Sequence, residues 1–354
     1  MIFGLHPVSV WIVAAVVAML AVTPLLFLAL GAAGKLTPAL HTDLWTRYRS
    51  WLVLTPLMIG PILAGRLAAI IGIGVLGLLC YREFARATGL FRHRAISAFV
   101  ACGIVFVTFA AADHWYGFFV ALSSLTVLVV VISGLFADEP KGYIQRVALG
   151  VFAFLLFGVC LGHLAYLAND HVGQPLLLAI LLCVELNDVF AYCTGKLFGR
   201  RKFAPQTSPN KTLGGALGAL VLTTALFAAL AHFIFRGTAL DHPVHLVTMG
   251  LILSLTGQWG DLVLSSIKRD LGLKDMAATI PGHGGLLDRF DSLLFVGPAL
   301  FHYAGFFLGV GLDQPTRVYS NGPLAQFFVS AFIFFFIAIA LEAALRTVRA
   351  SATR

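Results

Sequence analysis

The 354-residue chain is 59% hydrophobic and only 11% charged, with a formal net charge of +8 and a mean hydropathy of +0.93. So little polar surface excludes an ordinary soluble domain and identifies an integral membrane protein. No run of the sequence has the composition of a soluble domain or a low-complexity linker, so neither nucleic acid nor a large soluble protein is expected as a partner.

A spanning helix needs roughly 20 mostly apolar residues. Runs of that kind lie near 8–30, 51–80, 95–112, 115–136, 147–168, 174–194, 213–235, 244–264, 292–311 and 324–345. They predict an all-α, polytopic membrane protein with about ten transmembrane helices. The first run follows Met1 to Val8, which carry no Lys or Arg, and it is long, so it reads as a span and not a cleaved signal. The second run is too long for one upright helix and holds Arg66, with Pro56 and Pro61 before it. A broken pair of helices and a re-entrant hairpin are both compatible with it, and the total is about ten or eleven.

Lys and Arg set the orientation. Loops 81–94, 136–146, 195–212, 265–291 and the tail 346–354 carry 18 of them, whereas the alternating loops 113–114, 169–173, 236–243 and 312–323 carry 2. Each basic loop is two spans from the next, so the basic face is expected in the cytoplasm, with the C-terminus on that side. The side of the N-terminus depends on how 51–80 is resolved. Cys80, Cys102, Cys160, Cys183 and Cys193 fall in or beside apolar runs without metal-type spacing, and read as packing residues.

Three segments concentrate polar chemistry. Asp188, in Glu185-Leu186-Asn187-Asp188, lies roughly 10 Å of helix rise from the Gly195 end of its span. A carboxylate at that depth needs a partner, water or a metal, and Glu185 shares its helix face. The loop 196–212 places Ser208, Pro209, Asn210, Lys211 and Thr212 directly before a helix that begins Leu213-Gly214-Gly215. Hydroxyls, backbone N–H groups and a lysine at a helix start suit an anion. Arg200, Arg201 and Lys202 read instead as ordinary positive-inside residues or contacts to anionic headgroups.

The densest segment runs from Ser265 to Asp291, where four Lys or Arg and four Asp crowd into one connection. Lys268, Arg269 and Lys274 precede the turn Pro281-Gly282-His283-Gly284-Gly285, after which Asp288, Arg289 and Asp291 enter the next span. Asp288 and Asp291 are three apart, so on a helix both can face one divalent cation. Cations beside a carboxylate-bound metal suit a polyphosphate attacked at one phosphorus. Asp261, in Gly257-Gln258-Trp259-Gly260-Asp261-Leu262, stands at the same end of its span. Arg82-Glu83 reads as a snorkelling boundary pair, Glu342 and Arg346 as an ordinary helix pair, and His163 as a satisfied core histidine.

The pattern Ser265-x-Ile267-Lys268-Arg269-x4-Lys274-Asp275-x-Ala277-x2-Ile280-Pro281-x-His283-Gly284-Gly285-Leu286-x-Asp288-Arg289-Phe290-Asp291 resembles the signature of the phosphatidate cytidylyltransferases, also called CDP-diacylglycerol synthases. The likeness extends to Asn187-Asp188-x3-Tyr192, Ser208-Pro209-x-Lys211-Thr212 and Gly257-Gln258-x-Gly260-Asp261-Leu262, so it covers roughly the C-terminal half. The chain divides accordingly into 1–140, transmembrane helices without an assigned role, and 141–354, a cytidylyltransferase-like catalytic region, within one continuous membrane domain. Two positions depart from the family pattern: Gly214 and Leu264 stand where it usually has Glu.

The resemblance implies transfer of CMP from CTP to phosphatidic acid at the cytoplasmic face of the cell's inner membrane, giving CDP-diacylglycerol and pyrophosphate. It implies Mg²⁺ on Asp188, Asp261, Asp288 and Asp291. Lys268, Arg269 and Arg289 would neutralise the triphosphate, and Ser208, Asn210, Lys211 and Thr212 would hold phosphate. Lys274, Gly284 and Gly285 belong to the same substrate loop. His283 either donates to pyrophosphate or orders that loop, and Lys274 and Asp275 are expected to pair with each other. The family also implies a homodimer. Two other readings stay open: a transporter using Asp188 and Glu185, and a homologue that keeps the fold without the activity.

Overall fold

A computed structural model describes residues 5–34, 36–309 and scattered positions between 317 and 334. Several helix starts are written locally. The side chains of His6, Thr37, Thr212 and His242 each accept a free N–H two or three residues ahead, and Pro7, Pro38 and Pro243 follow three of them.

Helix α1 (Pro7–Ala32) is followed by α2 (Pro38–Ala64) and α3 (Arg66–Ala87). Gly65, at φ 116° and ψ 178°, separates the last two, so the long 51–80 run is a broken pair of helices. Arg66 donates to Asn169 at 2.9 Å, which fixes the break on the face away from the basic loops. His6 and Pro7 share a cavity with His171 and Arg236, so the N-terminal end of α1 is on that same opposite face.

Next come α4 (Arg94–Ala112), α5 (Tyr116–Ser133), α6 (Tyr143–Phe154) and α7 (Leu161–Leu167), the last two joined by a π turn at Leu155–Cys160 into one span. Then follow α8 (Gly173–Phe198), a hairpin of β1 (Lys202–Ala204) and β2 (Ser208–Thr212), α9 (Leu213–Ile234), α10 (Pro243–Asp270), the single turn α11 (Leu287–Phe290) and α12 (Leu293–Leu308). Among the described residues nine helices are long and apolar enough to cross a membrane. Helix α2 is not one of them, and its first half carries Asp43, Arg47 and Arg49. Most of the expected span 324–345, with Glu342 and Arg346, lies outside the described residues.

Apolar side chains such as Val53, Leu197 and Phe306 point outward, the last 80% exposed, as a lipid-facing surface requires. Helices α8, α9 and α10 are tied by one amide. The Asn187 Oδ1 atom accepts from Thr223 at 2.9 Å and Ser254 at 2.7 Å, while Gln258 donates to Ser254 and to the Ala216 carbonyl. Inter-helix bonds of this kind contribute about 0.6 kcal/mol each on average, so their value is mainly in register. Asp188 and Asp261, one and three residues from members of this network, inherit that register. His163 is buried and its Nδ1 meets the Val159 carbonyl at 2.8 Å, as a core histidine should. All five cysteines are free, and Cys80 and Cys183 are buried as expected of packing residues, whereas Cys193 is exposed.

Candidate active site

Helix α10 ends at Asp270, and the chain returns through residues 271–286 before α11. Gly282 and Gly284 both take positive φ, 74° and 83°, and Ile280 pairs with Gly284 to close the turn. Two buried carboxylates organise this loop. The Asp288 Oδ1 atom accepts from Lys268 Nζ at 2.8 Å, and its Oδ2 from the N–H groups of Met276 and Gly285 at 2.9 and 2.8 Å. Glu83, at the end of α3, accepts from Thr279 Oγ1 at 2.6 Å and from the N–H groups of Leu286 and Leu287 at 3.0 and 2.8 Å.

Glu83 corrects the reading of a boundary pair. Its side chain is buried and points into the protein, where it takes up the first N–H groups of α11. A Cβ on Gly285 would lie 2.5 Å from Glu83 Oε2, so only glycine lets the loop reach this acid. Helix α2 also grips the loop, through Ser50 Oγ donating to the Pro281 carbonyl at 2.7 Å and Trp51 packing edge-on against His283 at 5.8 Å. Burial, aided by the charges of Arg289 and Arg47, pushes the His283 imidazole below its ordinary range, against the opposing Pro281 carbonyl.

Beside the loop, three acids from three elements converge. Asp188 of α8, Asp261 of α10 and Asp291 after α11 are electrostatic neighbours, and Asp261 and Asp291 are within side-chain hydrogen-bonding reach. Asp188 is crowded by protein yet has an accessible side chain, as a residue lining a concave surface does. Gly260 makes the approach possible, since a Cβ there would stand 2.5 Å from the Asp291 carbonyl. Lys211 of β2 forms an ion pair with Asp261, and Ser265 donates to the same carboxylate at 3.3 Å. Asp291 Oδ1 accepts only from Ser292, its neighbour in sequence, among the described residues. Arg289 places a buried Nε against this group with no hydrogen-bond partner among the described residues.

The other expected residues are more dispersed. Arg269 donates to the Thr207 and Leu273 carbonyls at 3.4 and 3.1 Å, fastening the hairpin to the loop. Thr212 caps α9 through Gly215 N–H at 3.1 Å, so its hydroxyl already has work within the fold. Ser208 and Asn210 sit on β2 beside Lys211, and Lys274 is exposed. Lys274 and Asp275 form no ion pair among the described residues, unlike the expected pairing. Gly214 has no room for a side chain, because a Cβ would meet the Phe198 carbonyl at 2.7 Å, and Leu264 is buried in the core. Neither departure from the family pattern leaves a gap in the packing.

Magnesium is commonly held by one or two carboxylates plus substrate phosphates. Asp261 and Asp291, neighbours within side-chain hydrogen-bonding reach, fit that donor set, with Asp188 beside them. Asp288 is less available, since three of its roughly four lone-pair sites already accept from Lys268, Met276 and Gly285. Among the described residues no three His, Cys, Asp or Glu side chains are grouped closely enough to hold a metal ion by themselves.

The cytidylyltransferase family model matches residues 45–307, so the match includes most of α2 and all of α3 as well as the signature segments of the C-terminal half. The chain is 36% identical over 183 residues to the uncharacterized protein YnbB of Escherichia coli (strain K12), covering 50% of this chain and 59% of that one. It is 35% identical over 190 residues to the phosphatidate cytidylyltransferase of Bacillus subtilis (strain 168), covering 53% and 66%. With the phosphatidate cytidylyltransferase of Staphylococcus aureus (strain COL) it shares 30% identity over 243 residues, 68% of this chain and 90% of the relative. The chain thus spans less than two thirds of the first two relatives and nearly all of the third. On the strength of the match over most of its length, this polytopic membrane protein belongs to the cytidylyltransferase family.

Proposed function

We propose that the protein transfers the cytidylyl group of CTP to phosphatidate at the cytoplasmic face of the inner membrane, forming CDP-diacylglycerol and pyrophosphate. The observation that carries this reading is the convergence of Asp188, Asp261 and Asp291 with Lys211, Lys268 and Arg289 at the basic end of the helices. The relatives named phosphatidate cytidylyltransferase support the choice of substrates.

A phosphate oxygen of the lipid attacks the α-phosphorus of CTP, and the bond from that phosphorus to the bridging oxygen of pyrophosphate breaks. The nucleophile is already anionic, so the site has to orient and neutralise more than remove a proton. Mg²⁺ held by Asp261 and Asp291, with Asp188 adjoining, would supply positive charge to the triphosphate. Lys211 is held at the cleft by Asp261 and can turn to a phosphate oxygen when one arrives. Asp288 holds Lys268 and the loop N–H groups in position, and Arg289 adds positive charge beside Asp188. The Gly284 and Gly285 backbone would approach the nucleotide, and Ser208 and Asn210 on β2 and the exposed Lys274 would add phosphate contacts. His283, packed against Trp51 and beside the Pro281 carbonyl, orders the loop. A homodimer remains part of this proposal.

The test is pyrophosphate release by purified protein given CTP, phosphatidate and Mg²⁺. Release that depends on lipid and metal, and is lost in Asp291→Ala, is the expected result. A folded wild-type protein that neither releases pyrophosphate nor binds CTP overturns the reading and favours a homologue without the activity.

A further inference from the structure

Two apolar cavities lie on either side of α2. One, of about 310 Å³, opens between α1, α2 and α8 and runs from Ile12 and Met19 toward Trp51, Arg47 and Glu185. The other, of about 240 Å³, lies between α2, α3 and α8 and reaches Leu286, Phe290 and Leu293; its lining is apolar throughout. Met58 and Leu181 belong to the walls of both, so these two side chains form part of the partition between the cavities.

Both end next to the acidic cleft. Glu185 precedes Asp188 by one helical turn, and Phe290 stands between Arg289 and Asp291. Arg289 is felt by Glu185 and by Asp188 alike, and its buried Nε has no partner among the described residues. A guanidinium that precedes Phe290 of the second cavity, and whose charge reaches Glu185 of the first, matches a phosphate that carries two hydrocarbon chains. A single-chain lipid phosphate would leave one cavity filled by nothing of its own.

We propose that the two cavities are separate tail sites for a two-chain phospholipid acceptor, whose phosphate meets Arg289 while its chains part around α2 at Met58. This rests on the functional reading above. It gives the N-terminal helices a role in substrate selection, because α1, α2 and α3 form most of the walls.

The experiment compares kcat/KM for dipalmitoyl and dioctanoyl phosphatidate in mixed micelles. Leu182→Trp fills only the first cavity and Leu76→Trp only the second; Phe306→Trp, on the outer lipid face, is the control. Each cavity variant is expected to lower the dipalmitoyl to dioctanoyl ratio by about tenfold, the effect of excluding roughly two methylenes, and the control to leave it unchanged. A ratio that falls in only one cavity variant, or in neither, overturns the two-tail assignment. If wild-type protein turns over neither lipid, the functional reading fails separately, and bound lipid decides the cavities: two-chain phospholipid that copurifies with wild type and is lost from both variants supports them, and its retention overturns them.

Discussion

Glu83 and Asp288 lie within a few turns of Asp188, Asp261 and Asp291, yet the fold treats the two sets differently. The first two are buried with their oxygens taken up by hydroxyl, ammonium and backbone N–H donors. The other three face one another, a lysine and a few short contacts. A carboxylate with a full set of donors is finished structure. Asp261 is held by its ion pair to Lys211, and the acids beside it keep fewer protein donors than Glu83 and Asp288, which is why they are the ones proposed to meet a cation and phosphates.

The largest effect that could break this contrast comes from neutralising the second set. Asp261→Asn and Asp291→Asn are expected to lower the transfer rate by at least about 10²-fold; the thermal midpoint in detergent should be kept or raised in Asp291→Asn, which removes a buried carboxylate, and fall slightly in Asp261→Asn, which breaks the ion pair to Lys211. Unfolding of either variant would put these acids among the structural ones. Next is Glu83→Ala, which orphans one hydroxyl and two N–H donors, each costing about 1–3 kcal/mol when buried. Thermal stability and activity should fall together, and Glu83→Gln, which keeps one acceptor oxygen, should recover part of both. Equal behaviour of the alanine variant and wild type in unfolding scans would remove Glu83 from the structural set.

A smaller effect sharpens the comparison without touching charge. Gly260→Ala puts a methyl against the Asp291 carbonyl, an overpacking cost of about 1–3 kcal/mol that pushes α10 away from Asp291. The Mg²⁺ concentration for half-maximal rate should rise, whereas a variant with unchanged metal dependence would mean that Asp261 and Asp291 need not be close. The smallest effect concerns pH. Burial holds His283 below its ordinary range, so the folded state binds its proton less readily than the unfolded chain. Its contribution to stability is present above about pH 6.5 and is lost as pH falls through that value toward the depressed one. In pH scans His283→Gln should flatten the acid limb, and an identical limb would assign the loss to other groups.

Sequence position explains what could be read in advance. Loop 265–291 announces itself because its glycines, lysines and aspartates are consecutive, and the Thr212 cap because its partner is three residues away. Glu83 reads as a boundary charge because its donors are 196 to 204 residues distant, and one acid at the end of an apolar helix looks like any interfacial charge. Asp288 looked like a metal ligand because its spacing to Asp291 is helical, and spacing does not reveal which lone pairs are already used.

Hydropathy and charge asymmetry alone determined a polytopic helical membrane protein with a basic face, since a bilayer requires about 20 apolar residues per helix and internal satisfaction of every backbone group. Tertiary structure decided that 51–80 breaks at Gly65, that α2 and α3 hold the signature loop, and which acids are saturated and which are left facing one another. Those outcomes depend on contacts between distant segments, whose geometry is fixed only when the helices pack.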